Sequence, residues 1–192
     1  MSALTRHYAP ILEVISSIRQ YIFIGIGLFL VGSLLGFVFA DRLLSLMDAL
    51  AGVAEALEGQ PAIGMAAIIF LNNAFAAAMA ILLGPAFGVL PAYSAVMNGS
   101  LVGVVVAQDP ASAWMILPHG VFELPAVFLA WGLGMWCGAA AFQKPRLPLI
   151  KERVKTSLRI YLLVILPLLV VAAIIEGIAI YQIMSQAESM GL

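Results

Sequence analysis

Apolar residues fill five stretches of the chain, 21–40, 62–83, 86–107, 119–142 and 160–182, and polar residues collect between them. A helix that crosses a bilayer needs about 20 mostly apolar residues, so each stretch is predicted to be a membrane span. The period changes at the connections. Tyr8, Ile11, Leu12, Ile15 and Ile18 share one face of a helix over 8–18, the mark of a helix lying on the membrane surface. Leu43, Met47, Leu50, Val53 or Ala54, and Leu57 repeat that pattern over 43–57, with Asp48, Glu55 and Glu58 elsewhere. Ile150, Val154 and Leu158 form a third apolar strip within the basic stretch 144–159. The expected fold is therefore all-α: a polytopic transmembrane helical bundle of five spans with interfacial amphipathic helices, forming a single domain over residues 1–192.

Smaller features refine this outline. Gly84-Pro85 leaves little room between the second and third spans, which predicts an antiparallel hairpin. Small residues recur at spacings of four: Gly32, Gly36 and Ala40; Ala76, Ala80 and Gly84, with Asn72 on the same row; Gly99 and Gly103; Ala126, Ala130, Gly134 and Gly138. Helices pack in lipid through such rows. A tightly packed bundle accounts for them, and their number makes a homodimer a further expectation. The apolar run Trp114–Ala141 is about 42 Å long as a straight helix, more than a bilayer core. Pro118, Gly120 and Pro125 lie within it, and proline removes an amide donor where glycine loosens the turn. A broken fourth helix is expected, with the break near 118–120.

Composition and charge fix the setting. Hydrophobic residues make up 64% of the 192 positions and charged residues 10%, against roughly 45–50% and 25% in soluble domains. Eight of the nine basic residues, Arg6, Arg19, Lys144, Arg146, Lys151, Arg153, Lys155 and Arg159, fall on one side of a five-span arrangement, and Arg42 alone on the other. Basic loops stay cytoplasmic, so the N-terminus is expected inside and the C-terminus outside, in the plasma membrane. The basic residues would meet anionic lipid at the inner face, and no nucleic-acid partner is needed to explain them. Val38-Phe39-Ala40 resembles a signal-peptide cleavage site, but the apolar run before it exceeds the usual 7–15-residue core, so the first span is read as an uncleaved anchor. The single cysteine, Cys137, allows no intrachain disulfide.

Candidate chemistry lies within the spans, where polar groups are costly and normally face a partner or a cavity. Asn72, Asn73, Asn98, His119, Glu123 and Glu176 are the residues concerned. At about 1.5 Å of rise per residue, Glu123 and Glu176 fall in the outer half of the membrane and the asparagines near its midplane. They are expected to form one polar cluster that opens outward. His119 and Glu123, four residues apart, share a helix face. With Glu176 they form a candidate metal set for a divalent cation such as zinc, or a proton relay. No cofactor is otherwise implied.

Asn72, Asn98-Gly99 with Gly103, the segment PHGVFELPA at 118–126 and IIEG at 174–177 together resemble the stage II sporulation protein M family. The family hallmark resembles HG-x-x-E-x-x-A, here His119, Gly120, Glu123 and Ala126. The resemblance covers most of the chain and implies a polytopic helical protein. In spore-forming bacteria it implies membrane assembly during engulfment, beside a cell-wall hydrolase and a second membrane protein. The first functional reading is a non-enzymatic membrane assembly or scaffold factor, its polar cluster fixing helix register and its partners other membrane proteins. The alternative is an ion- or proton-coupled transporter or channel-like protein using the same residues. An enzyme is not expected. A zinc protease of the H-E-x-x-H kind needs two histidines, and the second one here, His7, lies in the N-terminal tail. Ser94 and Ser100 have only His119 as a candidate base, and no G-x-S-x-G elbow occurs.

Overall fold

A computed structural model gives the fold. It describes residues 3–44, 52, 55–110 and 112–190, with side chains over 9–44, 52, 55–110 and 120–186. All regular structure among the described residues is helical. The elements are α1 (Ala3–Ser17), α2 (Arg19–Val38), α3 (Ala62–Leu82), α4 (Val89–Gln108), α5 (Ser112–Ala139), α6 (Arg146–Ile160) and α7 (Leu166–Met190). Five helical stretches are long and apolar enough to cross a membrane, formed by α2, α3, α4, α5 and the continuous α6–α7 run. Most of the surface helix expected over 43–57 lies outside the described residues. Its last apolar position, Leu57, is buried with Met65, Ile69 and Ala173.

Helix α5 forms the axis of the bundle and touches α2, α3, α4 and α7. Ala126, Ala130, Leu133 and Cys137 are fully buried along it. Around this axis the other spans form two pairs. In the first, α2 lies against α4. A methyl group added at Gly32 would strike the Val96 carbonyl, one at Gly36 the Ser100 carbonyl, one at Gly99 the Phe29 carbonyl and one at Gly103 the Ser33 carbonyl. The partner numbers rise together, so the two helices run parallel. Their glycine rows face one another and bring the backbones into Cα–H···O range. In the second pair, α3 and α7 run antiparallel. Gly177 fits against Ala62 and Ala66, and the Tyr161 hydroxyl donates to the Ala74 carbonyl at 2.9 Å.

Three expectations are corrected. The spans on either side of Gly84-Pro85 do not form a packed hairpin, since α3 and α4 scarcely touch. Their turn docks on α5 instead: Gly84 meets the Gly134 backbone, and Gly138 meets that of Gly88. Phe87 and Gly88, at φ 60° and 72°, bend the chain back here. Each helix then packs on a different partner. The row Asn72, Ala76, Ala80, Gly84 also splits, with Ala80 and Gly84 buried and Asn72 and Ala76 exposed. A spacing of four turns about 40° past a full circle, so a row of four positions cannot stay on one contact. Finally, α5 is a continuous helix from Ser112 to Ala139, and no break interrupts it at 118–120. A proline within a membrane helix forfeits one hydrogen bond, which neighbouring groups and local adjustments offset, so two prolines do not suffice to break it.

At the end bearing the turn, α1 and α6 brace the bundle. Ile11 and Ile18 share a core with Ile160 and Ile165. Arg153 on α6 is buried. It donates to the Trp136 carbonyl at 2.6 Å and to Gln143 Oε1 at 3.0 Å, and its guanidinium lies 4.9 Å from the Trp136 ring centre. Trp136 is in the last turn of α5, where helix carbonyls lack intrahelical donors, and a cation there also meets the negative end of the helix dipole. Cys137 Sγ and Ser157 Oγ, 3.4 Å apart, close the same contact. A π-helical turn, Tyr161–Ile165, then joins α6 to α7 without a loop.

Candidate intramembrane crevice

The divergence of α3 and α4 leaves a space between them, floored by α5. Gly120, Glu123, Leu124, Val127 and Trp131 line it from α5, at the three- and four-residue steps that hold one helix face. The cavity measures about 370 Å³, within the 300–1,000 Å³ of ordinary small-molecule sites. It is closed toward the turn by the contacts of Gly134 with Ala80 and Gly84.

Five of the six polar residues singled out in the spans line this one cavity: Asn72 and Asn73 from α3, Asn98 from α4, Glu123 from α5 and Glu176 from α7. The sixth, His119, lies in α5 one turn before Glu123, and its side chain is outside the described residues. Among the described residues, no three His, Cys, Asp or Glu side chains gather closely enough to hold a metal ion. The candidate set His119, Glu123 and Glu176 includes a side chain, that of His119, outside those described residues. Two amide contacts are local. Asn72 Nδ2 donates to Asn73 Oδ1 at 3.2 Å, and Asn98 Nδ2 donates to the Ser94 carbonyl one turn back at 2.8 Å. Asn72 and Asn98 are exposed, whereas Asn73, Glu123 and Glu176 are half-buried. Glu123 and Glu176 each engage a partner as well.

The far end of the cavity is aromatic. Phe29 and Trp131 line it, their ring centres 6.2 Å apart. Phe128 packs edge-on against Phe29 at 5.4 Å and lies 5.7 Å from Trp131. On α5 the carboxylate of Glu123 thus lies toward the start of the helix and the Trp131 ring about 12 Å further along it, while Asn98 lies near the rings, since its neighbour Gly99 packs on Phe29. The polar residues drew attention in the sequence because charge is rare in a span, whereas Phe29 and Trp131 looked like any other core aromatics. The signal that would have found Trp131 is its place two turns beyond Glu123 on the Gly120–Val127 face.

The family model described as Stage II sporulation protein M matches residues 25–179. That range takes in every residue that lines the crevice. No curated protein and no solved structure matches the chain.

Proposed function

The chain belongs to the stage II sporulation protein M family, and we propose that it is a non-enzymatic, multi-pass protein of the plasma membrane that binds an ion or small solute between α3 and α4, as an ion- or proton-coupled transporter or a channel would. One observation carries this reading: polar side chains from four spans line a single cavity of about 370 Å³. Side chains that only fix helix register meet each other across a helix contact; these surround space. A carboxylate at membrane depth is costly unless a proton or a cation neutralises it. Glu123 and Glu176 are accordingly the charge-bearing groups, the asparagines neutral ligands beside them, and His119 a further ligand or proton carrier. A divalent cation such as zinc is one guest this set could take. The N-terminus and the basic helix α6 are assigned to the cytoplasmic side, against anionic lipid, and the crevice to the outer half of the membrane.

The assembly-factor reading keeps one observation of its own. Asn72 and Asn98 are exposed within spans, where a helix from a second copy or another membrane protein could hydrogen-bond to them. Thermal unfolding of the purified protein, followed across inorganic and organic cations, separates the two readings. Wild type should be stabilised by at least one class of cation, and Glu123→Gln and Glu176→Gln should fold yet lose that response. If no cation stabilises wild type and both glutamine variants unfold as it does, the crevice is structural and the assembly reading stands.

A further inference from the structure

We infer that the guest of this crevice is an amphiphilic organic cation, with its charged head between Glu123 and Glu176 and its apolar body against Phe29 and Trp131. The inference rests on the binding reading above and specifies its substrate class.

Three features of the cavity lead to it. The lining is graded rather than uniform. On α5 the carboxylate of Glu123 comes first, and Leu124, Val127 and Trp131 follow it along the helix, with Phe29 beside Trp131. A bare metal ion would use only the first end and leave the apolar end empty. A neutral apolar guest would use only the second end. A molecule with an ammonium or guanidinium head and an apolar body satisfies both ends, and the described lining residues include no lysine or arginine to oppose it. Size agrees as well, because about 370 Å³ is far more than an ion occupies and falls in the range of small organic ligands. The third feature is access. The mouth lies between two spans that scarcely touch, and it carries the exposed Asn72 and Asn98. An amphiphile partitioned into the bilayer can enter sideways there.

The probes are n-alkylammonium ions from ethyl to octyl, the n-alcohols of equal length, and sodium, calcium and zinc ions. Binding to the purified, detergent-solubilised protein is read by calorimetry. Affinity should rise about fourfold with each added methylene until the apolar end is filled, then fall. The alcohols should bind at least about tenfold more weakly than the matching ammonium ions. Glu176→Gln should weaken every ammonium ion without moving the best chain length. Trp131→Leu, by enlarging the apolar end, should move the best length upward. Where Trp131→Leu does not fold, Trp131→Phe and Phe29→Leu carry the same test, because each also removes ring volume.

Glutamate-dependent binding of an inorganic ion, with no alkylammonium bound, would overturn this inference and leave the binding reading standing. No binding of any probe by folded protein would overturn both. Alkylammonium binding that ignores chain length and all of these substitutions would place it in the micelle or elsewhere on the protein, and the inference would fall.

Discussion

At the residue scale, the glycines divide into those that set backbone distance and those that do not. A Cβ on Gly99 would sit against the Phe29 carbonyl, with the amide nitrogen of Ser33 2.9 Å away. Both are backbone atoms of a packed helix and cannot swing aside. A Cβ on Gly27, in the same helix as Phe29, would meet nothing within 4 Å. Gly99→Ala should therefore destabilise the protein by about 1–3 kcal/mol, the usual cost of overpacking, and Gly27→Ala should be neutral or slightly stabilising because alanine is the better helix former. Denaturation of both variants in the same detergent checks this, and equal midpoints would refute the close α2–α4 approach. Because Phe29 also lines the crevice, the first change should loosen ligand binding too. Rows of small residues were legible in the sequence, but which glycine opposes which carbonyl depends on the register between helices. Arg153 shows the same limit. It counts as one more cytoplasmic charge in the sequence, yet in the fold it is buried and donates to the Trp136 carbonyl. Charge placement along the chain explains why an arginine belongs on that side, but only the end of α5 explains why this one leaves the surface.

At the element scale, the number and rough limits of the spans could be read from hydropathy alone, since twenty apolar residues have few other fates. Pairing could not. A short linker implied that α3 and α4 pack together, yet a linker constrains only the ends it joins. The contact that decides is the docking of the turn on α5, where Gly134 and Gly138 let two backbones approach. The result shapes the crevice as well as the bundle, because a packed α3–α4 hairpin would leave no such space. The polar residues were legible as a set because each is conspicuous in its own span; the space they enclose was not, for it depends on two helices failing to meet. A Cβ on Gly88 would lie 3.7 Å from the Met135 Cβ, inside the 3.5–4.5 Å span of disulfides. With Cys137 replaced by serine, Gly88→Cys with Met135→Cys should cross-link under mild oxidation and run faster on a non-reducing gel. The yield should be incomplete, because a side chain at φ 72° carries some strain. Failure to cross-link in folded protein would mean that the turn does not rest on α5.

At the scale of the whole molecule, the helix contacts and the charges answer different parts of one question. The contacts fix which chain segments share an end. The α3–α4 turn docks on the last turns of α5, and Arg153 holds α6 to those same turns. Gly177, midway along α7, meets Ala62 at the opposite end, where α3 begins. A single choice of direction therefore sets every loop at once. The charges make that choice. Arg19, Lys144, Arg146, Lys151, Arg153, Lys155 and Arg159 belong to the first end, and Arg42 to the second. Moving them to the outer face would transfer seven cations against the bias that retains basic segments in the cytoplasm. The expected orientation has α6 inside and the Glu123 end of the crevice toward the outer face. In cells producing a Cys137→Ser protein, a cysteine at Glu55 should react with a membrane-impermeant maleimide while the cells are intact. A cysteine at Glu152, exposed on α6, should react only after permeabilisation. The reverse pattern would invert the molecule and direct the crevice inward. Labelling of both positions in intact cells would mean that the two ends do not lie on opposite faces, and the five-span arrangement itself would fail.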